Sequence, residues 1–332
     1  MRTSIAHLYS DIWRHIFEYF NALELLFSLV HITEAADDVL FNEGYHLRLR
    51  GLIIDDSIRA LPKELLLSQV ISLELHQKGC FERSEHCSEL RSLKVIGQSE
   101  WTISLLKKVS HTNVKLEQLV LVVPGVGPLY DLLECITPLI SLRRLSIVAD
   151  QSDEKIKPHV LPMIQTNIKR FSLHSCSSIN WNELSHMLPF LSNVCFLDIT
   201  ISHDNKDSVS WFSFPKVSYM SLRILEVPFE CLSAIIKTVP SLVKLKLSGL
   251  VNIEGFVVNH RWLDLFDFCP SLNIVTVNLS MERDTSFFPI DTVQTSLREV
   301  NLNLSCMDDD CDYYSDTRYQ HRWWTLSGII SR

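Results

Sequence analysis

Thirteen histidines and nine cysteines could build a metal centre or a nucleophilic site only at the right spacing. Cys306, Cys311 and His321 cluster in sequence, as do Cys80, His86 and Cys87, but neither group has the C-x-x-C pairing of a zinc site. No H-E-x-x-H occurs. Residues 104–107 read SLLK, an S-x-x-K match, yet they fall in a predicted outer helix without companion motifs. GVG at 125–127 lacks the rest of a dinucleotide fingerprint. The most acidic stretch, CMDDDCDYYSD at 306–316, lacks the glycine and closing glutamate of a calcium loop. It reads as a solvated loop ending the fold, with a recruitment hook for a basic segment as the sharper alternative. The pair Trp323–Trp324 reads as part of a C-terminal cap. The chain is therefore expected to be a binding protein, with no catalytic residues, metal or cofactor.

Composition sets the surroundings. The chain has 332 residues, 46% of them apolar, enough for a sizeable core. Its 31 basic and 39 acidic residues give a net charge of -8, and no basic stripe points to nucleic acid. The cysteines are odd in number and unpaired in spacing, which suits reduced thiols. Asp11 and Arg14 interrupt any leader-like apolar stretch, and no window of 18 apolar residues exists. The sequons at Asn278 and Asn303 are read as chance. The expectation is an intracellular protein, cytoplasmic and/or nuclear, without a membrane partner.

The elements that would position any site come from an internal repeat. The pattern apolar-x-x-apolar-x-apolar occurs as VISLEL (70–75), LRSLKV (90–95), LEQLVL (116–121), LRRLSI (142–147) and IKRFSL (168–173). It continues as VCFLDI (194–199), LRILEV (222–227), LVKLKL (242–247), LNIVTV (272–277) and LREVNL (297–302). Successive starts differ by 20, 26, 26, 26, 26, 28, 20, 30 and 25 residues, and LRGLII (49–54) is a weaker eleventh copy. Each copy reads as a short strand. Segments such as WTISLLKKV (101–109), LYDLLECI (129–136), WNELSHML (181–188), CLSAIIKTV (231–239) and RWLDLFDF (261–268) read as intervening helices. Lys244 and Lys246 flank Leu245, and Arg144 and Ser146 flank Leu145, so one strand face stays wet. That disfavours a closed βα barrel and favours a solenoid of parallel strands in sequence order.

The repeat resembles the leucine-rich repeats, in particular the cysteine-containing subclass. FSLHSCSSI (171–179) carries L-x-L-x-x-C-x-x-I with Cys176 at the turn, LVKLKLSGLVNI (242–253) keeps the frame with Leu250 there, and CPSL (269–272) is similar to a strand lead-in. Other copies place Gln98, Pro124, Asp150 and Ser202 at the turn. The resemblance implies an α/β horseshoe solenoid of ten to eleven repeats over 46–305, with strands on the concave face and helices on the convex face. Residues 306–332 are then an acidic loop and C-terminal cap.

Residues 8–41 read as compact helices. Ser10 is the expected N-cap of the first, with Ile12, Trp13, Ile16, Phe17 and Phe20 on one face, and Asn21 with Glu24 forms a capping box for the second. EAADDVLF (34–41) is a third. LYSDIWRHIFEYFNALEL resembles an F-box through Leu8, Asp11, Ile12, Ile16, Phe17, Tyr19, Phe20, Glu24 and Leu25, with Val30 at the later valine. Tyr9 stands where the family has proline, and Glu34 lies near its tryptophan. The resemblance implies that residues 1–45 are an F-box-like segment of a substrate-receptor subunit of cullin-RING ubiquitin ligases. Leu8, Ile12, Ile16, Phe17, Leu25 and Leu26 would then bind the ligase adaptor, leaving a partly exposed apolar surface on the free chain. The alternatives are a plain cap on the first repeat, and a repeat scaffold or inhibitor without a ligase link.

On the concave face the middle outward column reads Glu74, Lys94, Val120, Ser146, Ser172, Asp198, Glu226, Lys246, Thr276 and Asn301. Ile96, Val120, Val122 and Val148 form an apolar patch there, with Arg144 and Arg170 beside it. Two readings stand: ordinary β-branched strand residues on a solvated face, or the binding site for a target protein whose acidic group meets the arginines.

Overall fold

The computed structural model describes residues 8–55, 65–77, 87–112, 115–149, 166–175, 179, 181, 187, 190–202, 213–282, 290–307 and 323–332. The chain divides into two compact units, Met1–Lys157 and Pro158–Arg332. Both are α/β, and the strands in both are mostly parallel.

The first unit opens with the helices α1 (Ser10–Phe17), α2 (Ala22–Glu24), which runs into a π-turn at Leu25–Leu29, and α3 (Glu34–Phe41). The Asn21–Glu24 capping box forms in both directions at 2.9 Å. Ser10 is not the cap of α1: Tyr9 holds that position without a side-chain bond, one residue ahead of the expected start. The strands follow as β1 (Leu52–Ile54), β2 (Ser72–His76), β3 (Ser92–Ile96), β4 (Gln118–Val123) and β5 (Arg144–Ala149), each parallel to the next. Between them lie α4 (Ser99–Thr112) and α5 (Leu129–Ile136). The expected helix at 181–188 lies largely outside the described residues.

The second unit holds β6 (Arg170–Ser175), β7 (Phe196–Ser202), β8 (Tyr219–Leu225), β9 (Lys244–Val251) and β10 (Ile274–Glu282). They pair in order and in parallel. Its helices are α6 (Phe229–Lys237), α7 (Ile253–Phe256), α8 (Asn259–Phe268) and α9 (Ile290–Arg298). Phe229 meets Phe256 and Trp262 edge-on at 5.2 and 5.1 Å, which locks α6, α7 and α8 together. The Cys269 thiol, in the CPSL lead-in, lies 3.5 Å from the Leu242 carbonyl of the preceding repeat.

A backbone device repeats with the strands. The carbonyls of Ile71, Arg91 and Glu117, and of Lys169, Cys195, Ser218 and Val243, each accept from two successive N–H groups of the following repeat, at 2.8–3.3 Å. In each copy the two inward leucine-type residues are buried, for example Leu119 and Leu121, or Leu245 and Leu247. Each such side chain contributes about 1.5–3 kcal/mol by leaving water, and this alternation drives the chain into strands.

Three expectations are corrected. The seventh copy is not LRILEV at 222–227. Register pairs Met220 with Leu197 and Leu245, so the copy is VSYMSL, starting at 217. The steps then become 217 − 194 = 23 and 242 − 217 = 25, in place of 28 and 20. Leu222 belongs to both matches, and the chain leaves the strand at Glu226, where φ is 55°. Ser221, not Glu226, is therefore the outward residue of that copy.

The tenth copy, LREVNL, is not a strand either: Leu297 lies in α9, and β11 (Leu302–Met307) begins only after Asn301, at φ 58°. A three-residue apolar spacing suits a helix as well as this repeat, which is why the two were confused. Strand order also departs from sequence order at the end. β12 (Trp323–Ser331) runs antiparallel between β10 and β11, giving β10-β12-β11. Gly328 makes that insertion feasible: a Cβ there would lie 2.2 Å from the Asn301 carbonyl oxygen.

Candidate binding faces

The outward side chains of the first unit's strands form three rows. Ser72, Ser92, Gln118 and Arg144 are register partners, as are Glu74, Lys94, Val120 and Ser146, and then His76, Ile96, Val122 and Val148. The structure thus brings Ile96, Val120, Val122 and Val148 together as one half-buried aliphatic patch, with Arg144 exposed at its margin. Glu74 closes the β2 side, 3.0 Å from His76 Nε2 and 3.1 Å from Lys94 Nζ. Burial would raise its carboxyl, but the hydrogen bonds and charges of His76 and Lys94 hold it below the usual carboxylate range. Arg170, expected beside this patch, belongs to the second unit and is described there.

The helices before β1 present a second face. Of the six residues expected to bind an adaptor, Ile12 is 43% exposed and Leu8 and Ile16 are intermediate. Phe17 (1%), Leu25 (1%) and Leu26 (9%) are buried, so the exposed part of these six rests on Leu8, Ile12 and Ile16. The reason is internal packing: Trp13 and Phe17 turn inward together, their rings 5.6 Å apart, and α1 packs on α3. The π-turn sends Leu25 and Leu26 inward and leaves Phe27 outside, 73% exposed. Tyr9, Tyr19, Phe20 and Ile32 are exposed as well. Leu23 is intermediate, and the Ala22 N–H bonds the Arg50 carbonyl at 2.7 Å, tying α2 to the stretch before β1.

The second unit's open face has a different chemistry. Phe196 and Tyr219 stack in parallel, 4.6 Å apart with 7° between planes, and Arg170, the register partner of Phe196 on β6, lies over the Phe196 ring at 5.5 Å. His174 Nε2 lies 3.5 Å from Asp198 Oδ2. Burial works to raise the Asp198 carboxyl, but bonds from His174 and Ser221 hold it below its ordinary range. The sequence reading missed this stack because the displaced seventh copy hid Tyr219. The signal that would have found it is VSYMSL, which fits the same pattern five residues earlier.

Among the described residues, the remaining chemistry-bearing side chains do not converge. Ser104 and Lys107 are both exposed on α4. Cys87 is fully buried, and burial pushes its thiol up to about 12, so it stays protonated at neutral pH. Cys80, His86, Cys176, Cys311 and His321, and the acidic residues 308–316, lie outside the described residues. Among the described residues no helix is long and apolar enough to cross a membrane. No protein-family model matches the chain, and no curated protein matches it in sequence.

Proposed function

We propose that the chain is a substrate-recognition subunit of an SCF-type ubiquitin ligase. In this reading residues 8–41 dock on the ligase adaptor as an F-box, and the repeats form a leucine-rich-repeat horseshoe whose open strand face holds a target protein. The ligation chemistry belongs to other subunits, and this chain supplies proximity.

The observation that carries the reading is a concentration of wet apolar surface ahead of the repeats. Among the described residues, six of the ten exposed large hydrophobic residues fall between positions 9 and 32: Tyr9, Ile12, Tyr19, Phe20, Phe27 and Ile32. Exposed apolar area so gathered usually has a partner. The Ile96, Val120, Val122 and Val148 patch, with Arg144 at its margin, supplies the same argument for the target.

A second reading has its own support. Phe17, Leu25 and Leu26 are buried, and Ala22 is bonded to Arg50, as a cap on the first repeat of a scaffold or inhibitor would require. A pull-down of the purified full chain with the purified ligase adaptor separates the two. The ligase reading expects stoichiometric capture by the wild type and its loss in Phe27→Glu, with the melting temperature unchanged. Absence of wild-type capture, or capture indifferent to Phe27→Glu and to Tyr19→Glu, leaves the scaffold reading.

A further inference from the structure

Four cations share the open face of the second unit, outside both the adaptor surface and the aliphatic patch. Across β6 to β10, Arg170, Phe196, Tyr219, Lys244 and Ile274 stand in one row, and Ser172, Asp198, Ser221, Lys246 and Thr276 in the next. Arg223 lies one row further, between Thr200 and Ser248. Among the described residues none of Arg170, Arg223, Lys244 and Lys246 makes an ion pair. The face does contain a carboxylate, Asp198; His174 and Ser221 bond it, and the Lys246 charge acts on it from two strands away without an ion-pair contact. Glu282 is the last residue of β10. Beyond β10, Ser331, Ile329 and Ser327 of β12 oppose Ile274, Thr276 and Asn278, and Ile329 is 57% exposed.

A basic face beside aromatic rings suggests nucleic acid, but the stacking geometry opposes it. A base needs a free ring face. Phe196 stands between Arg170 of β6, 5.5 Å over its ring, and Tyr219 of β8, stacked at 4.6 Å, and Tyr219 in turn adjoins Lys244 of β9. What remains on offer is a set of separate positive charges next to an aromatic edge and an aliphatic side chain.

We propose that this face binds an extended acidic peptide segment of a partner protein, laid across the strands. Neighbouring parallel strands are about 4.8 Å apart, so Arg170 and Lys244, three strands apart, stand about 14 Å from one another. An extended chain advances about 3.4 Å per residue, so carboxylates at positions i and i+4 on one side of the peptide reach both cations. Lys246 is about 7 Å along β9 from Lys244 and takes a further acidic side chain. Charges spread in this way suit several carboxylates rather than one phosphate, which needs donors converging on a point.

The test uses the full chain and a fluorescent dodecapeptide of alternating Glu and Ser, with an alternating Gln and Ser peptide as its neutral counterpart. Anisotropy should show saturable, salt-sensitive binding of the Glu peptide alone. Lys244→Glu with Lys246→Glu should weaken binding by at least about tenfold, and the milder Lys244→Gln with Lys246→Gln by at least about threefold if the first pair misfolds. Lys107→Glu, the same charge change on α4, should leave binding within about twofold. Equal weakening by Lys107→Glu, or none by either lysine pair, overturns the proposal. So does displacement of the peptide by a single-stranded oligonucleotide at lower concentration, which would mark the face as a nucleic-acid site. The assay contains no adaptor, so its failure and the failure of the ligase reading are separate results.

Discussion

At matching positions, the first unit's strands offer Ile96, Val122 and Val148, while the second offers Thr200, Arg223, Ser248 and Asn278. The first unit ties Lys94 to Glu74; the second leaves Lys244 and Lys246 without an ion pair among the described residues. Beneath these differences the inward columns are alike. Leu93, Leu119 and Leu145 have their counterparts in Phe171, Leu197, Met220 and Leu245, all buried. Burial therefore sets the fold and leaves the outward columns free to differ. Two faces on one repeat pattern thus present different chemistry, one aliphatic and one cationic.

The largest expected effects test whether the inward columns are equivalent. Leu121 and Leu247 are both completely buried in the same strand position. Leu121→Ala and Leu247→Ala should each cost about 2–5 kcal/mol in urea unfolding. A cost below about 1 kcal/mol in one unit only would mean that the two cores are not built alike.

Outward substitutions should do the reverse. Val120→Asp and Arg144→Glu sit on the half-buried and exposed side of their strands and should shift stability by no more than about 0.5 kcal/mol. Both should nevertheless deplete partners captured from cell extract, read by quantitative mass spectrometry. Retention of every wild-type partner by both variants would move the target surface away from the aliphatic patch.

The same contrast explains what the sequence disclosed. Inward leucines at fixed spacing made the strands legible: nine copies, from Leu52 to Leu145, from Phe171 to Leu197 and again at Leu245 and Val275, lie in the expected frame. α5 falls on LYDLLECI without a shift. The errors came where spacing was ambiguous. Leu222 satisfied two overlapping frames, and Leu297 with Val300 satisfied a helix as well as a strand. β12 was illegible for a different reason: its pairing with β10 is antiparallel and long-range, and the repeat pattern encodes only nearest neighbours. In the N-terminal segment, polarity alone could not decide which apolar residues turn inward, because Phe17 and Phe20 differ only in the side of α1 and the turn after it that they occupy.

The smallest expected effect concerns acid, and it separates the two faces by one carboxylate each. Glu74 is held below its ordinary 4.5 by His76 and Lys94, against the opposing effect of burial. Asp198 is held below its ordinary 3.8 by His174 and Ser221, again against burial. A carboxyl lowered in the folded state binds protons more readily when unfolded. Its contribution is therefore complete above the unfolded value and is lost as pH falls through the folded one. Loss at the first face should begin below about pH 4.5 and at the second only below about pH 3.8, from the ordinary values of the two groups. Stability measured against pH should then flatten in Glu74→Gln from the higher onset, whereas Asp198→Asn should follow the wild type until the lower one. If both variants depart from the wild type at the same pH, the two carboxylates are coupled to one unfolding event rather than to their own faces. If neither departs, the pairs with His76, Lys94 and His174 are too well screened by water to matter.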